Sequence, residues 1–174
     1  AEGWKPEGYV APKVKNKLVS SNHVNVSQAM KTPQFWLLFW VLCLNVTAGI
    51  GVLGQASVMI QELFSEASVG KQAAIGAGAA AGFVSLLSLF NMGGRFLWSS
   101  VSDKLGRKNT YTIFFVLGSL LYFAVPSIGE SGNKALFIIG FCVIISMYGG
   151  GFAAIPAYLK DLFGTYQVGA IHGR

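Results

Sequence analysis

Four stretches of this sequence are each long and apolar enough to cross a lipid bilayer, and little chain is left between them. A bilayer-crossing helix needs roughly 20 mostly apolar residues, each advancing about 1.5 Å. The expected spans are about Pro33 to Leu63, Ala73 to Val101, Tyr111 to Ile128 and Ala135 to Leu159. Backbone polar groups in hydrocarbon must find partners within their own segment, which leaves helices as the economical solution for runs of this length. The expected fold class is therefore an all-α, multi-pass integral membrane protein, with a transmembrane bundle over residues 33–174. Hydrophobic residues make up 53% of the 174 and charged residues 11%, too apolar a balance for an ordinary soluble domain.

Several function classes fall away on the same grounds. The net charge of +6 comes from Lys and Arg in the short connections, not from one basic face with interleaved aromatics, so no nucleic-acid partner is expected. Cys43 and Cys142 lie in different apolar runs without Cys-x-x-Cys spacing or a neighbouring His, and are read as buried thiols; no metal is expected. No Ser/His/Asp set, His-Glu-x-x-His motif or carboxylate pair occurs within the spans, and His23 and His172 fall in polar segments. The chain is read as a non-enzyme that needs no cofactor. Because it starts at Ala1 and stops at Arg174 partway into a new segment, it is also read as part of a longer polypeptide.

Taken in order, residues 1–32 are polar and rich in Lys, Ser and Asn, with Pro6 and Pro12, and read as a mobile loop. Ser27 is the expected cap of a short surface helix over Gln28 to Lys31. In the first span Pro33 suits a helix start, Trp36 and Trp40 suit the membrane interface, and Gly49, Gly51 and Gly54 permit close approach or a bend. Asn45 and Gln55 are polar at membrane depth, as interhelical hydrogen-bonding groups or as substrate contacts. The second span opens with Gly78-x-x-x-Gly82, a pattern suited to packing within the bundle. The third is apolar and aromatic, a lipid-facing scaffold helix. In the fourth, Gly149, Gly150 and Gly151 follow Tyr148 and precede Pro156, so this segment can bend or unwind where protein or water surrounds it. Ten of the thirteen Lys and Arg lie in residues 1–32, the Ser102 to Thr110 turn and the tail after Leu159. Only Lys71 and Lys134 lie on the other side, so both ends are expected in the cytoplasm, with the protein in the plasma (inner) membrane.

Within the second span, Ser88, Asn91, Arg95, Ser99 and Ser102 recur at helical spacing and form a polar stripe. Facing lipid, a central Arg alone would cost about 2.5 to 3.5 kcal/mol, so the stripe is expected to face protein or an aqueous cavity. Arg95 could also snorkel toward headgroups or take a structural partner. Apart from Glu62 at the far end of the first span, no Asp or Glu lies within the spans to neutralise it, and guanidinium binds a carboxylate through two parallel hydrogen bonds. A small carboxylate is the expected ligand class.

The stripe runs into a charged turn, Asp103-Lys104-Leu105-Gly106-Arg107-Lys108, whose glycine can reverse the chain between two helices. Asp103 suits a helix N-terminal dipole or Arg107, and the basic residues suit anionic headgroups. The spacing resembles the Asp-Arg/Lys-x-Gly-Arg/Lys-Arg/Lys loop signature of the major facilitator superfamily. GWKPEGYVAP, NVTAGIGVLGQAS, NMGGR and YGGGFAAIPAYLKDLFGTYQVGAIHGR together resemble the oxalate/formate antiporter family within it. That resemblance implies that residues 1–32 belong to the central cytoplasmic loop and that the spans are the seventh to tenth of twelve helices. The missing N-terminal half and the last two helices of the same polypeptide would then be partners, with the lipid bilayer. It also implies a carboxylate-binding role for Arg95, with Tyr148 as a cavity aromatic; a second cationic contact would lie beyond Arg174. The signature usually carries glycine four residues before its aspartate, where this chain has Ser99.

The function expected is secondary transport of small carboxylates by alternating access, as oxalate/formate-type anion exchange, with Arg95, Asn91, Tyr148 and Gln55 as candidate substrate contacts. A proton-coupled monocarboxylate symporter is the alternative within transport. A membrane scaffold or sensor that moves nothing is the rival of a different class.

Overall fold

The computed structural model describes residues 20, 23–70 and 74–174 of the chain. Residues 1–19, which carry the GWKPEGYVAP stretch and most of the expected mobile loop, lie outside the described residues, as do 21–22 and 71–73. Among the described residues seven helices follow in order: α1 (Val26–Ala29), α2 (Pro33–Leu63), α3 (Glu66–Val69), α4 (Ala77–Leu105), α5 (Arg107–Glu130), α6 (Lys134–Phe163) and α7 (Val168–His172). Among the described residues α2, α4, α5 and α6 are long and apolar enough to span a membrane. They alternate up and down, so α2 starts, α4 ends, α5 starts and α6 ends at one common, charged end.

The helix α6 is the hub. In its most apolar window 61% of residues are buried, against 17–22% for the other three. Two apolar clusters pin its two ends. Near its start, Phe137 meets Phe64 at 5.4 Å and lies near Phe83 at 6.3 Å, drawing in α2 and α4. Near its finish, Leu159 and Phe163 pack with Phe35 of α2, Tyr111 of α5 and Ile171 of α7.

The glycine triplet explains how α4 and α2 reach the hub. All three residues stay helical, so the segment is neither unwound nor broken, and Pro156 is likewise accommodated inside the helix. Successive helical residues point about 100° apart, and each glycine admits a different neighbour. Gly149 faces the Asn91 backbone, Gly150 the Trp98 side chain and Gly151 the Asn45 side chain. The relation with α4 is reciprocal, because Gly94 in turn faces the Ser146 carbonyl. Small residues let backbones approach in this way in lipid, where no hydrophobic force drives helices together. Tyr111 adds a cross-link from α5, donating its hydroxyl to the Gly151 carbonyl at 2.6 Å.

Several local expectations change. Gly78 and Gly82 meet nothing within 4 Å; the buried face of α4 instead runs through Ala80, Phe83, Leu87 and Gly94. In the first span Gly49 alone serves close approach, with open space beside Gly51 and Gly54. The turn expected over Ser102 to Thr110 shrinks to Gly106, whose φ of 88° lets α4 end and α5 begin around one residue. Helix ends there continue past the apolar stretch because Ser102, Arg107 and Thr110 find partners within and between the helices. The short helix before α2 is capped by Asn25, not Ser27. The Asn25 carboxamide oxygen accepts from the Gln28 amide at 2.9 Å, and the Gln28 side chain accepts from the Asn25 amide.

The segment ahead of α2 is also docked where it is described. The Ser20 amide donates to the Asp161 carbonyl at 2.7 Å, and the Val24 amide to the Phe163 carbonyl at 3.0 Å. These are last-turn carbonyls of α6, which lack intrahelical donors. Val26 continues the strap by donating to the Gln167 side chain at 2.9 Å.

Candidate functional site

The polar stripe of α4 does not act as a single surface. Ser102 is buried and accepts from Arg107 at 2.8 Å, and the exposed Ser88 hydroxyl donates back to the Val84 carbonyl at 3.0 Å. Asn91 is half-buried, its carboxamide oxygen turned toward Gly149, where it is buried without a hydrogen-bond partner. Arg95 is exposed between these packed groups.

The surroundings of Arg95 set its chemistry. Among the described residues no carboxylate lies within ion-pair distance of it, whereas Arg107 holds two. Its contact is aromatic: the guanidinium carbon lies 6.0 Å from the centroid of the Phe152 ring on α6. Phe152 in turn meets Tyr148 edge to face, with centroids 5.4 Å apart and planes at 82°. Arg95 and Tyr148 are thus linked through a ring that the sequence reading did not single out. A signal was present in retrospect, since Phe152 follows Tyr148 by four residues and shares its helix face.

Tyr148 is half-buried and leans on Gly49 of α2. It borders a cleft of about 260 Å³ with Asn45, Phe114, Ser119 and Tyr122. Tyr122 spans the gap behind it, donating to the Ala48 carbonyl at 2.9 Å. Gln55 lines a separate groove with Val52, Met59, Tyr122 and Phe141, away from the Arg95 contact. Asn91, Arg95 and Tyr148 therefore gather where α4 meets α6, and Gln55 belongs to the boundary of α2 with α5.

At the charged end the turn residues form a clasp. Arg107 binds Asp103 at 2.5 Å, Asp161 at 3.3 Å and the Ser102 hydroxyl, joining the start of α5 to the ends of α4 and α6. The Asp103 pairing is the one the turn sequence anticipated; Asp161 is new. Lys104 and Lys108 are exposed, and Lys108 lines a cleft of about 420 Å³ with Asn109, Tyr158 and Leu162.

Three apolar helices packed on a fourth, glycine-notched one define a polytopic helical membrane protein, with an arginine inside a span that has no carboxylate within ion-pair distance among the described residues. The family model for the Major Facilitator Superfamily matches residues 4–173. The chain belongs to that superfamily. It is 32% identical over 151 residues, 87% of its length, to the oxalate:formate antiporter of Oxalobacter formigenes, of which the match covers 34%. It is 26% identical over 161 residues, 92% of its length, to the uncharacterised transporter YhjX of Escherichia coli strain K12, covering 37% of that protein. The chain thus spans about a third of the length of these curated relatives. No solved structure matches it.

Proposed function

We propose that this chain is part of a secondary transporter that exchanges small carboxylates, with Arg95 as the anion contact. The observation that carries the reading is Arg95 itself, a guanidinium within a membrane span, exposed, resting on an aromatic ring and without an acidic partner among the described residues. A carboxylate from outside would supply the missing charge and accept two parallel hydrogen bonds. The likeness to an oxalate:formate antiporter supports exchange of small dicarboxylates and monocarboxylates over other anions. Asn91 and Tyr148 flank the site as secondary contacts, and Gln55 would reach the substrate only after movement of α2. The four spans represent the seventh to tenth helices of a twelve-helix protein in the plasma (inner) membrane, with residues 1–32 and the charged end in the cytoplasm. The whole site is completed by the other helices of the same polypeptide.

The test uses the full-length protein in proteoliposomes. Oxalate uptake is expected to fall at least tenfold in Arg95→Gln, in line with roughly 1.5–3 kcal/mol for a hydrogen bond to a charged group. Uptake unchanged by that substitution would overturn the reading. Internal formate should stimulate oxalate entry if exchange operates, whereas dependence on an imposed pH gradient would replace exchange with proton symport. Correct insertion without any carboxylate flux would favour a scaffold or sensor.

A further inference from the structure

The aromatic contact of Arg95 has its own chemistry. A long cationic side chain on the half of α4 nearer the charged end would, if unheld, extend toward water and headgroups. A carboxylate partner would restrain it but also neutralise it. The face of a benzene ring attracts guanidinium through its quadrupole and leaves the full positive charge in place. Phe152 offers such a ring, 6.0 Å from the guanidinium carbon.

The ring is itself supported. Tyr148 meets it edge to face, and Tyr148 presses on α2 at Gly49. A β-carbon at Gly49 would fall within 2.7 Å of the Tyr148 β-carbon, so the absent side chain makes room for the tyrosine. Gly149, next to Tyr148, admits the Asn91 backbone one turn before Arg95. Gly49, Tyr148 and Phe152 thus form a stack running from α2 through α6 to the underside of the α4 guanidinium.

We infer that Phe152 is a positioning residue for Arg95, a shelf that holds the guanidinium at membrane depth while leaving it charged and unpaired for an arriving carboxylate. The inference rests on the carboxylate reading above for its transport consequence, but the placement of Arg95 is measurable apart from it. Phe152→Leu keeps an apolar side chain and removes the ring; Phe152→Trp keeps a ring with a stronger face.

In full-length protein in proteoliposomes, Phe152→Leu is expected to raise the apparent KM for radiolabelled oxalate roughly two- to fivefold, the factor appropriate to one such contact. The maximal rate should change less than twofold, and Phe152→Trp should restore the KM. In parallel, modification of Arg95 by phenylglyoxal, mapped by mass spectrometry without substrate, should speed up at least twofold in Phe152→Leu and return to the parent rate in Phe152→Trp. An unchanged Arg95 modification rate, or a loss of maximal rate that Trp does not rescue, would overturn the shelf. If Arg95→Gln transports normally while the modification rates shift as expected, the carboxylate reading fails and the shelf stands.

Discussion

The adjacent glycines of NMGGR show how one residue's direction decides its role. A β-carbon on Gly94 would lie 2.7 Å from both Cα and the carbonyl carbon of Ser146, inside van der Waals contact and against backbone that has no rotamer to change. Gly93 faces open space. Gly94→Ala should therefore destabilise the protein by about 1–3 kcal/mol, the usual range for overpacking. Gly93→Ala should leave stability unchanged or raise it by up to about 1 kcal/mol, because alanine is the better helix former. Thermal unfolding of the detergent-solubilised full-length protein measures both, and equal losses at the two sites would show that the α4 register is wrong. The sequence displayed both glycines without distinguishing them, because that choice depends on the rotation of α4 against α6. Arg95 was legible for the opposite reason: a charge within a span stands out whatever its neighbours. Phe152 was not, since its one mark, the four-residue spacing from Tyr148, is shared by many aromatic residues in apolar helices.

At the scale of elements, the charged turn works as a clasp among three helix ends. The Asp103 side chain is 63% exposed and the Asp161 side chain 23%, so water screens the first pair with Arg107 more than the second. Asp161→Ala should consequently cost more stability than Asp103→Ala. A double-mutant cycle on unfolding should give an Arg107–Asp161 coupling of about 0.5–1 kcal/mol, and the reverse ranking would contradict the exposure argument. Gly106, Asp103 and Arg107 could be read as a turn from six consecutive residues. Asp161 could not, because it stands 54 positions from Arg107 and only helix packing brings them together. The four long helices were legible from hydropathy, but their ends were not: Ser102, Arg107 and Thr110 look like turn residues in composition and become helical once each has a partner.

Across the whole molecule, the strap over the end of α6 joins the segment ahead of α2 to the last helices described. Its bonds come from backbone amides, so polar composition gave no hint of them and suggested a loop. Hydrogen exchange should find the Val24 and Val26 amides protected, and Gln167→Ala should speed exchange at Val26 at least fivefold with little change at Val24. Exchange at Val26 already as fast as in a free peptide would refute the strap. The hub position of α6 has a consequence for biogenesis. Ribosomes deliver the chain from its N-terminus, so α2, α4 and α5 enter the bilayer before the helix they pack against has been made. Until α6 arrives, the recesses at Gly49 and Gly94 are solvated by lipid chains, and Asn45 and Asn91 must be tolerated in hydrocarbon or shielded by the insertion machinery. Consolidation of these four helices then waits on α6, which displaces lipid from the three earlier ones as it enters.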